Sequence, residues 1–526
     1  MSDNPALKDR PRAPWTLLVG VLALIGLALV LVVTRYGPGA SGDSAYYVMG
    51  AQNIIEGNGF SRTSGGGEVK PITGFPPGFS AVLALLGLTG LDLFQVGRYL
   101  NAVLFGANIF IVGGLVYHYT KSIWPAGLAG LAILLASDMV YFHSWVMSEP
   151  LYIFLMLLGI MGILRYLEER SLVALIGTGL CVAAATLTRY IGAALLLAFA
   201  LSILLLSVRK WLRRFADCVL LAVASLTPVL VWLRLNVAVS GSGVNRAVLY
   251  HPMRPELIRG FLSAASAWFV PASLGLPVLL RAGFALILAA IVPAIFIVHS
   301  LRSRPATEAN VWRANNSLPW ILILYIGCYL GILVVNSTFL DASTTLSAPP
   351  RYLLPAFVAM VMLIACVAFR LLEDVRAGRI AERIVGLAAL VVIGLSLRAT
   401  ANLVRDPIPQ IGYTGLKYTQ PSIVARLEAI DPADPIISNN PELVFILIGK
   451  PAYMRPIQFD TYQQAYREDF EKQVADAQSK LDLGAVLVLF GPLDAEEEQV
   501  LHALDVRPTF QSSEATFYVS GNSAGG

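Results

Sequence analysis

Two carboxylates and a set of guanidiniums stand at the ends of strongly apolar segments in this sequence. Asp43 follows the first such segment, and Glu149 opens a later one within Ser148-Glu149-Pro150. Arg98, Arg189 and Arg351 occupy similar boundaries, the last two followed directly by Tyr190 and Tyr352, and Lys70 shares the first polar loop with Asp43. A charged side chain at the bilayer centre costs about 2.5–3.5 kcal/mol on insertion scales and less toward the interface, so charges kept there usually have a partner or a task. A carboxylate can take the proton of an attacking hydroxyl or amine, and guanidiniums hold phosphate oxygens through paired hydrogen bonds. Acids and guanidiniums gathered on one membrane face suit transfer from an anionic lipid carrier.

Each residue alone has a plainer explanation. Arg98, Arg189 and Arg351 can snorkel to headgroups. Glu149 begins a helix, where an acid favours the positive dipole end by about 0.3–1 kcal/mol, and Pro150 suits a first helical turn. Asp43 is a candidate N-cap for a helix starting at Ser44-Ala45-Tyr46. His143 reads as an interfacial histidine, Arg281 as lying near the headgroups, and Asp341 as a solvated residue of a Ser/Thr-rich loop. The functional reading draws its weight from the set, so it depends on whether the topology places the set on one face.

The 526-residue chain is 56% hydrophobic and 14% charged, against roughly 45–50% apolar and 25% charged in soluble domains. This composition is that of a polytopic α-helical membrane protein. The net charge of +4 does not imply a nucleic-acid partner. Cys181, Cys218, Cys328 and Cys366 all lie in apolar segments without ligand-like spacing, which indicates neither a disulfide framework nor a cysteine metal site.

Lys8, Arg10 and Arg12 precede an uncharged run at 15–33, longer than the roughly 7–15-residue core of a cleaved signal peptide. It is expected to stay as a first membrane helix with its amino end in the cytoplasm, which puts the loop 35–79 outside. Further spans are expected at 99–119, 124–140, 149–164, 172–187, 190–208, 218–233, 282–298, 318–335, 352–369 and 384–397, eleven in all. The apolar 79–91, bounded by Pro76-Pro77-Gly78 and Thr89-Gly90, is too short to span and is expected in the interface. The inward loops then carry Lys121; Arg165 and Arg170; Arg209, Lys210, Arg213 and Arg214; Arg302, Arg304 and Arg313; and Arg370, Arg376, Arg379 and Arg383. That is the positive-inside pattern, and letting 79–91 span would reverse it.

Eleven spans put the carboxyl end outside, where the composition becomes that of a soluble domain. Helices are expected near 421–430, 442–448, 466–481 and 495–504, a buried strand at 484–490 and an edge strand at 515–519. The chain therefore divides into a cytoplasmic 1–14, a transmembrane module at 15–402 and a small extracytoplasmic α/β domain at 403–526, of roughly 120 residues.

Asp43, Gly74-Phe75-Pro76-Pro77-Gly78-Phe79, Gly97-Arg98-Tyr99-Leu100-Asn101, Ser148-Glu149-Pro150-Leu151-Tyr152, Leu187-Thr188-Arg189-Tyr190-Ile191-Gly192 and Arg351-Tyr352-Leu353-Leu354-Pro355 occur in an order that resembles the GT-C membrane glycosyltransferases. The similarity covers roughly residues 15–400 and is to the bacterial branch similar to dolichyl-phosphate-mannose protein mannosyltransferases and the lipid A aminoarabinose transferase. It implies an inverting transferase of the bacterial inner membrane that moves a sugar from a polyprenyl-phosphate donor to an envelope acceptor. In that likeness Asp43 matches the acidic residue of the first outer loop and Glu149 a second acid. Lys70 lies near a functional lysine of the aminoarabinose branch, and Arg351 is placed like the arginines that grip the carrier phosphate. Ser44 follows Asp43 where the mannosyltransferases have a second acid, and no Asp-x-Asp pattern stands there, which leaves a divalent metal cofactor open.

The chemistry suits these residues. A phosphate leaving group, whose second ionisation has a pKa of about 6, departs without a general acid and needs cations at its oxygens. Arg351, Arg189 and Lys70 are the candidates, with Arg98 nearby and Tyr190 or Tyr352 as hydrogen-bond donors. Asp43 is the candidate base and Glu149 its positioning partner. A transporter or flippase of lipid-linked sugars, a diphosphate-using polymerase and a non-catalytic envelope protein are the competing readings. A transporter would be expected to show paired broken helices in a repeat, and no repeat is visible.

Overall fold

The structure, a computed structural model, describes residues 13–245, 248–270, 275–302, 309–340, 349–374, 394–405, 412–460 and 465–521. Asp341 and most of the expected span at 384–397 lie outside them. α1 (Ala13–Val33) leads into the first polar loop, which folds into α2 (Gly42–Ile55), a hairpin of β1 (Ser61–Thr63) and β2 (Val69–Pro71), and α3 (Gly78–Gly87). The body continues with α4 (Leu93–Thr120), α5 (Ile123–Leu135), α6 (Ser137–His143), α7 (Glu149–Glu169), α8 (Leu172–Thr188), α9 (Ala193–Leu206) and α10 (Trp211–Ser240). It ends with α11 (Pro255–Ala267), α12 (Val278–Arg302), α13 (Ala309–Phe339), α14 (Pro349–Asp374) and α15 (394–405).

Among the described residues, seven helices are long and apolar enough to cross a membrane: α1, α4, α7, α10, α12, α13 and α14. α5 and α6, bent by 61° at their break, make an eighth if the pair is one span. The chain is thus a polytopic helical membrane protein. The segments expected at 172–187 and 190–208 are helical but shorter, so seven or eight of the eleven expected crossings meet the length.

Loop chemistry explains several of the helix ends. Asp92 accepts from the Gln95 amide at 3.0 Å and starts α4, and Ser171 accepts from the Ala174 amide at 3.2 Å and starts α8, each satisfying a donor that has no partner within its own helix. The apolar 79–91 becomes α3, whose ten residues reach about 15 Å, half the roughly 30 Å hydrocarbon thickness. It packs on α2 through Phe79, Leu83 and Ala84. Gly78 permits this approach, since a Cβ there would sit 2.7 Å from the Leu187 carbonyl oxygen at the end of α8.

Residues 412–521 form a sheet domain with α16 (Pro421–Glu428), β3 (Ile436–Ser438), α17 (Pro441–Ile448), β4 (Tyr453–Met454), β5 (Phe459–Asp460), β6 (Ala465–Tyr466), α18 (Phe470–Asp482), β7 (Val486–Phe490), α19 (Ala495–Ala503), β8 (Val506–Gln511) and β9 (Ala515–Ser520). The five-stranded sheet runs β4-β3-β7-β9-β8, with β4, β3 and β7 mutually parallel and β9 antiparallel to both its neighbours. The strand expected at the edge, 515–519, is therefore interior. β8 covers it and takes the edge, where Pro508 is tolerated because a missing amide donor there faces no partner strand.

Candidate active site

Four helix ends meet at one end of the bundle. α2, α7 and α14 begin there with Asp43, Glu149 and Arg351 in their first turns, and α8 ends there with Arg189 as its last cap. Asp43 does not cap α2. Ser41 holds the cap position, its amide donating to Ser44 Oγ at 3.0 Å, and the Asp43 carboxylate is left for another partner.

That partner is Arg351, whose Nη2 lies 2.7 Å from Asp43 Oδ2. The same guanidinium donates through Nε to Glu149 Oε1. Arg189 Nη1 also reaches Glu149 Oε1, at 2.5 Å, and donates to Ser148 Oγ at 3.2 Å. Ser148 in turn shares a 3.0 Å hydrogen bond with the Tyr47 hydroxyl. The Tyr352 ring stands beside both cations, 5.7 Å from the Arg351 and 5.9 Å from the Arg189 guanidinium carbon. The Glu149 side chain is 1% exposed, Arg351 11%, Arg189 14% and Asp43 30%, so the cluster opens to solvent at Asp43.

Two carboxylates and two guanidiniums balance in formal charge, which is what permits their burial, since an unpaired buried ion carries a penalty of several kcal/mol. The pairing is not saturated. Glu149 Oε2 is buried with no hydrogen-bond donor among the described residues, which leaves one acceptor of the cluster unmatched. Burial, and after it the Asp43 charge, push the Tyr47 hydroxyl up to about 12, so it stays a protonated donor at neutral pH.

A divalent cation does not fit this cluster. The two acids already share one guanidinium, and among the described residues no group of three or more His, Cys, Asp or Glu side chains is placed to hold a metal.

The other expected site residues lie apart from the acids. Lys70, in β2, pairs with Glu68 at 2.9 Å and is half exposed. Arg98 joins α4 to α1, donating to Thr34 Oγ1 at 2.9 Å, the Leu31 carbonyl at 3.1 Å and Gln95 Oε1 at 3.2 Å. Tyr190, the residue after Arg189, accepts from Trp232 Nε1 at 3.0 Å. His143 is buried rather than interfacial, bonded to the Met139 carbonyl at 2.7 Å and to Asn108 at 3.2 Å. Tyr47 and Ser148 enter the site without having been singled out for it. Tyr47 carried a signal, lying four residues from Asp43 and so on the same helix face, whereas the approach of Ser148 depends on tertiary packing.

No protein-family model matches the sequence, and no curated protein matches it by sequence similarity. Solved structures do match in fold. ArnT from Cupriavidus metallidurans bound to undecaprenyl phosphate superposes with a TM-score of 0.61 at 14% identity, covering 97% of this chain and 99% of that one. The archaeal oligosaccharyltransferase AglB from Archaeoglobus fulgidus, in complex with an inhibitory peptide and a dolichol-phosphate, matches with a TM-score of 0.52 at 11% identity, over 91% of this chain and 69% of that one. Arabinofuranosyltransferase AftD from Mycobacteria matches with a TM-score of 0.50 at 14% identity, over 95% of this chain and 39% of that one. The chain has the GT-C fold of membrane glycosyltransferases.

Proposed function

We propose that this protein is an inverting glycosyltransferase that moves a sugar from a polyprenyl-phosphate carrier to an acceptor in the cell envelope. The observation that carries the reading is the Arg351 guanidinium held between Asp43 and Glu149, with Arg189 beside it. It is supported by the shared fold with one structure bound to undecaprenyl phosphate and another bound to dolichol-phosphate. In this proposal the 15–402 module crosses the membrane eleven times. The amino end lies in the cytoplasm of a bacterium, and 403–526 lies outside with the site.

The chemistry follows from the four groups. The donor phosphate binds Arg351 and Arg189, whose paired donors match its oxygens better than an ammonium would. The acceptor oxygen or nitrogen attacks the anomeric carbon from the face opposite the phosphate. As the new bond forms, the carbon–oxygen bond to phosphate breaks and its electron pair passes to the phosphate, whose charge the guanidiniums stabilise. Asp43, the exposed acid, takes the acceptor proton, and a carboxylate so placed contributes about 10²–10⁴-fold. Glu149 holds both guanidiniums in place and offers Oε2 to a sugar hydroxyl.

Transfer of radiolabelled sugar from a panel of polyprenyl-phosphate sugars to a membrane extract tests this, comparing the purified protein with its Asp43→Asn form. Labelling by the parent and not by an equally abundant, folded variant supports the reading. Equal labelling removes Asp43 from the chemistry, and no labelling from any carrier favours a diphosphate-linked donor or the transporter reading.

A further inference from the structure

The two acids are placed by one junction. Gly39 and Trp145 form an isolated parallel β-bridge, in which the Gly39 amide donates to the Ser144 carbonyl at 3.0 Å and the Val146 amide donates to the Gly39 carbonyl at 3.0 Å. Asp43 is four residues past Gly39 and Glu149 four residues past Trp145. Because the bridge is parallel, both chains leave it in the same direction, and each enters its helix within a few residues. Two segments far apart in sequence thus deliver their acids side by side to Arg351.

The Trp145 side chain sets the spacing at this junction. It is 7% exposed, and a Cβ on Gly39 would meet its ring at 2.7 Å. At its far edge the ring meets Gly412, the first described residue of the sheet domain, at φ +85°, where a Cβ would overlap ring atom Cη2 and lie 2.6 Å from the Ala40 carbonyl oxygen. The next two residues grip the same stretch: the Tyr413 amide donates to the Ala40 carbonyl at 2.9 Å, and Thr414 Oγ1 to the Pro38 carbonyl at 3.0 Å. From α4, Asn101 Nδ2 donates to the Trp145 and Met147 carbonyls at 2.6 and 3.3 Å. The Trp145 indole Nε1 is itself buried without an acceptor among the described residues, so the contacts that fix the ring there are those of its shape.

We propose that Trp145 is a positioning residue for Asp43 and Glu149, and that the carboxyl-terminal domain sets the geometry of the active site by seating Gly412 against it. The domain is then part of the catalytic apparatus without touching substrate. A second dock fixes the same helix, with Arg62 of the hairpin donating to Tyr46 Oη at 3.1 Å and facing Glu442 of α17 at 3.9 Å. The role assigned to the acids rests on the functional reading above, whereas the junction is independent of it.

The test uses the full-length protein in three variants. Gly412→Ala wedges a methyl between the ring and Ala40. Trp145→Phe removes ring atoms Cη2 and Cζ3, the ones nearest Gly412, without creating a clash. The double variant combines the two. Because misplacement by about 1 Å costs up to about 10²-fold, Gly412→Ala is expected to lower kcat at least about tenfold with donor KM within about threefold. Trp145→Phe alone is expected to lose about threefold, and the double variant, which keeps the approach to the Ala40 carbonyl and the positive φ at 412 but loses the ring overlap, is expected to recover at least about threefold over Gly412→Ala. An unchanged kcat in Gly412→Ala, or no recovery in the double variant, overturns the proposal. If Gly412→Ala does not fold, an unchanged kcat in Trp145→Phe does the same. If the parent transfers no sugar, the functional reading falls. Hydrogen exchange then decides the junction: faster exchange at 42–50 and 146–152 in Gly412→Ala or Trp145→Phe supports it, and unchanged exchange there overturns it.

Discussion

Arg351 donates to both acids of the site at once, through Nη2 to Asp43 and through Nε to Glu149. Its planar fork is what makes one side chain sufficient, because its donors sit on separate nitrogens held in one rigid plane, whereas an ammonium donates from a single, freely rotating nitrogen. Arg351→Lys is therefore expected to lose about 10²–10³ in kcat, the cost of removing a preorganised donor from the developing charge. Steady-state transfer assays check this, and parental activity in the lysine form would show that the bridge is dispensable.

In the proposed reaction a carrier phosphate would compete with Asp43 for Arg351 Nη2. Removing the Asp43 charge is expected to tighten polyprenyl-phosphate binding by about tenfold, about 1.4 kcal/mol, even as transfer falls by about 10²–10⁴-fold. Titration of the Asp43→Asn form with polyprenyl phosphate in micelles reads this out directly. Weaker binding than the parent contradicts the competition.

Glu149 is the more buried acid and holds two guanidiniums. Glu149→Gln leaves both with one acid between them, which is expected to cost about 3–5 kcal/mol, the usual effect of breaking a buried pair. A lowered thermal midpoint in detergent is the expected result, and an unchanged one would mean that water already reaches the cluster.

Arg98 and Lys70 are expected to separate in a stability measurement. Arg98→Ala removes donors from Thr34 and the Leu31 carbonyl and is expected to destabilise by about 1–3 kcal/mol. Lys70→Ala breaks a solvated pair with Glu68 and is expected to change stability by less than about 1 kcal/mol. Loss of transfer in the Lys70 variant, with stability intact, would reveal that the hairpin closes over the site during the reaction.

Tyr47 contributes a pH dependence with a definite sign. Its pKa in the folded protein, about 12, lies above the ordinary value of about 10, so its contribution is fully present below pH 10. That contribution is lost as pH rises from about 10 through 12, because the unfolded chain then releases the proton more readily. Thermal midpoints of the parent are expected to fall more steeply over this interval than those of Tyr47→Phe. Parallel curves would show that the hydroxyl ionises as freely in the fold as outside it.

Composition and hydropathy were enough to read a polytopic membrane protein, the helical segments from 15 to 369, the short apolar segment at 79–91 and most of the carboxyl-terminal domain's elements, because each depends on local apolar periodicity and turn chemistry. Asp43, Glu149, Arg189 and Arg351 were legible as a set, since charges at the ends of apolar helices are costly wherever those helices pack. What the sequence left undecided was which of the candidates meet. Arg351 lies 202 residues from Glu149, and their contact depends on how α7 and α14 pack. Arg98 is held at α1 for the same kind of reason, its guanidinium meeting a hydroxyl and a carbonyl there. The place of β8 at the sheet edge and the seating of Trp145 between Gly39 and Gly412 also escaped the sequence reading. Local patterns set which residues are helical and which are buried, whereas the partner of a buried charge or ring is chosen by the packing of distant segments, and that only the tertiary structure decided.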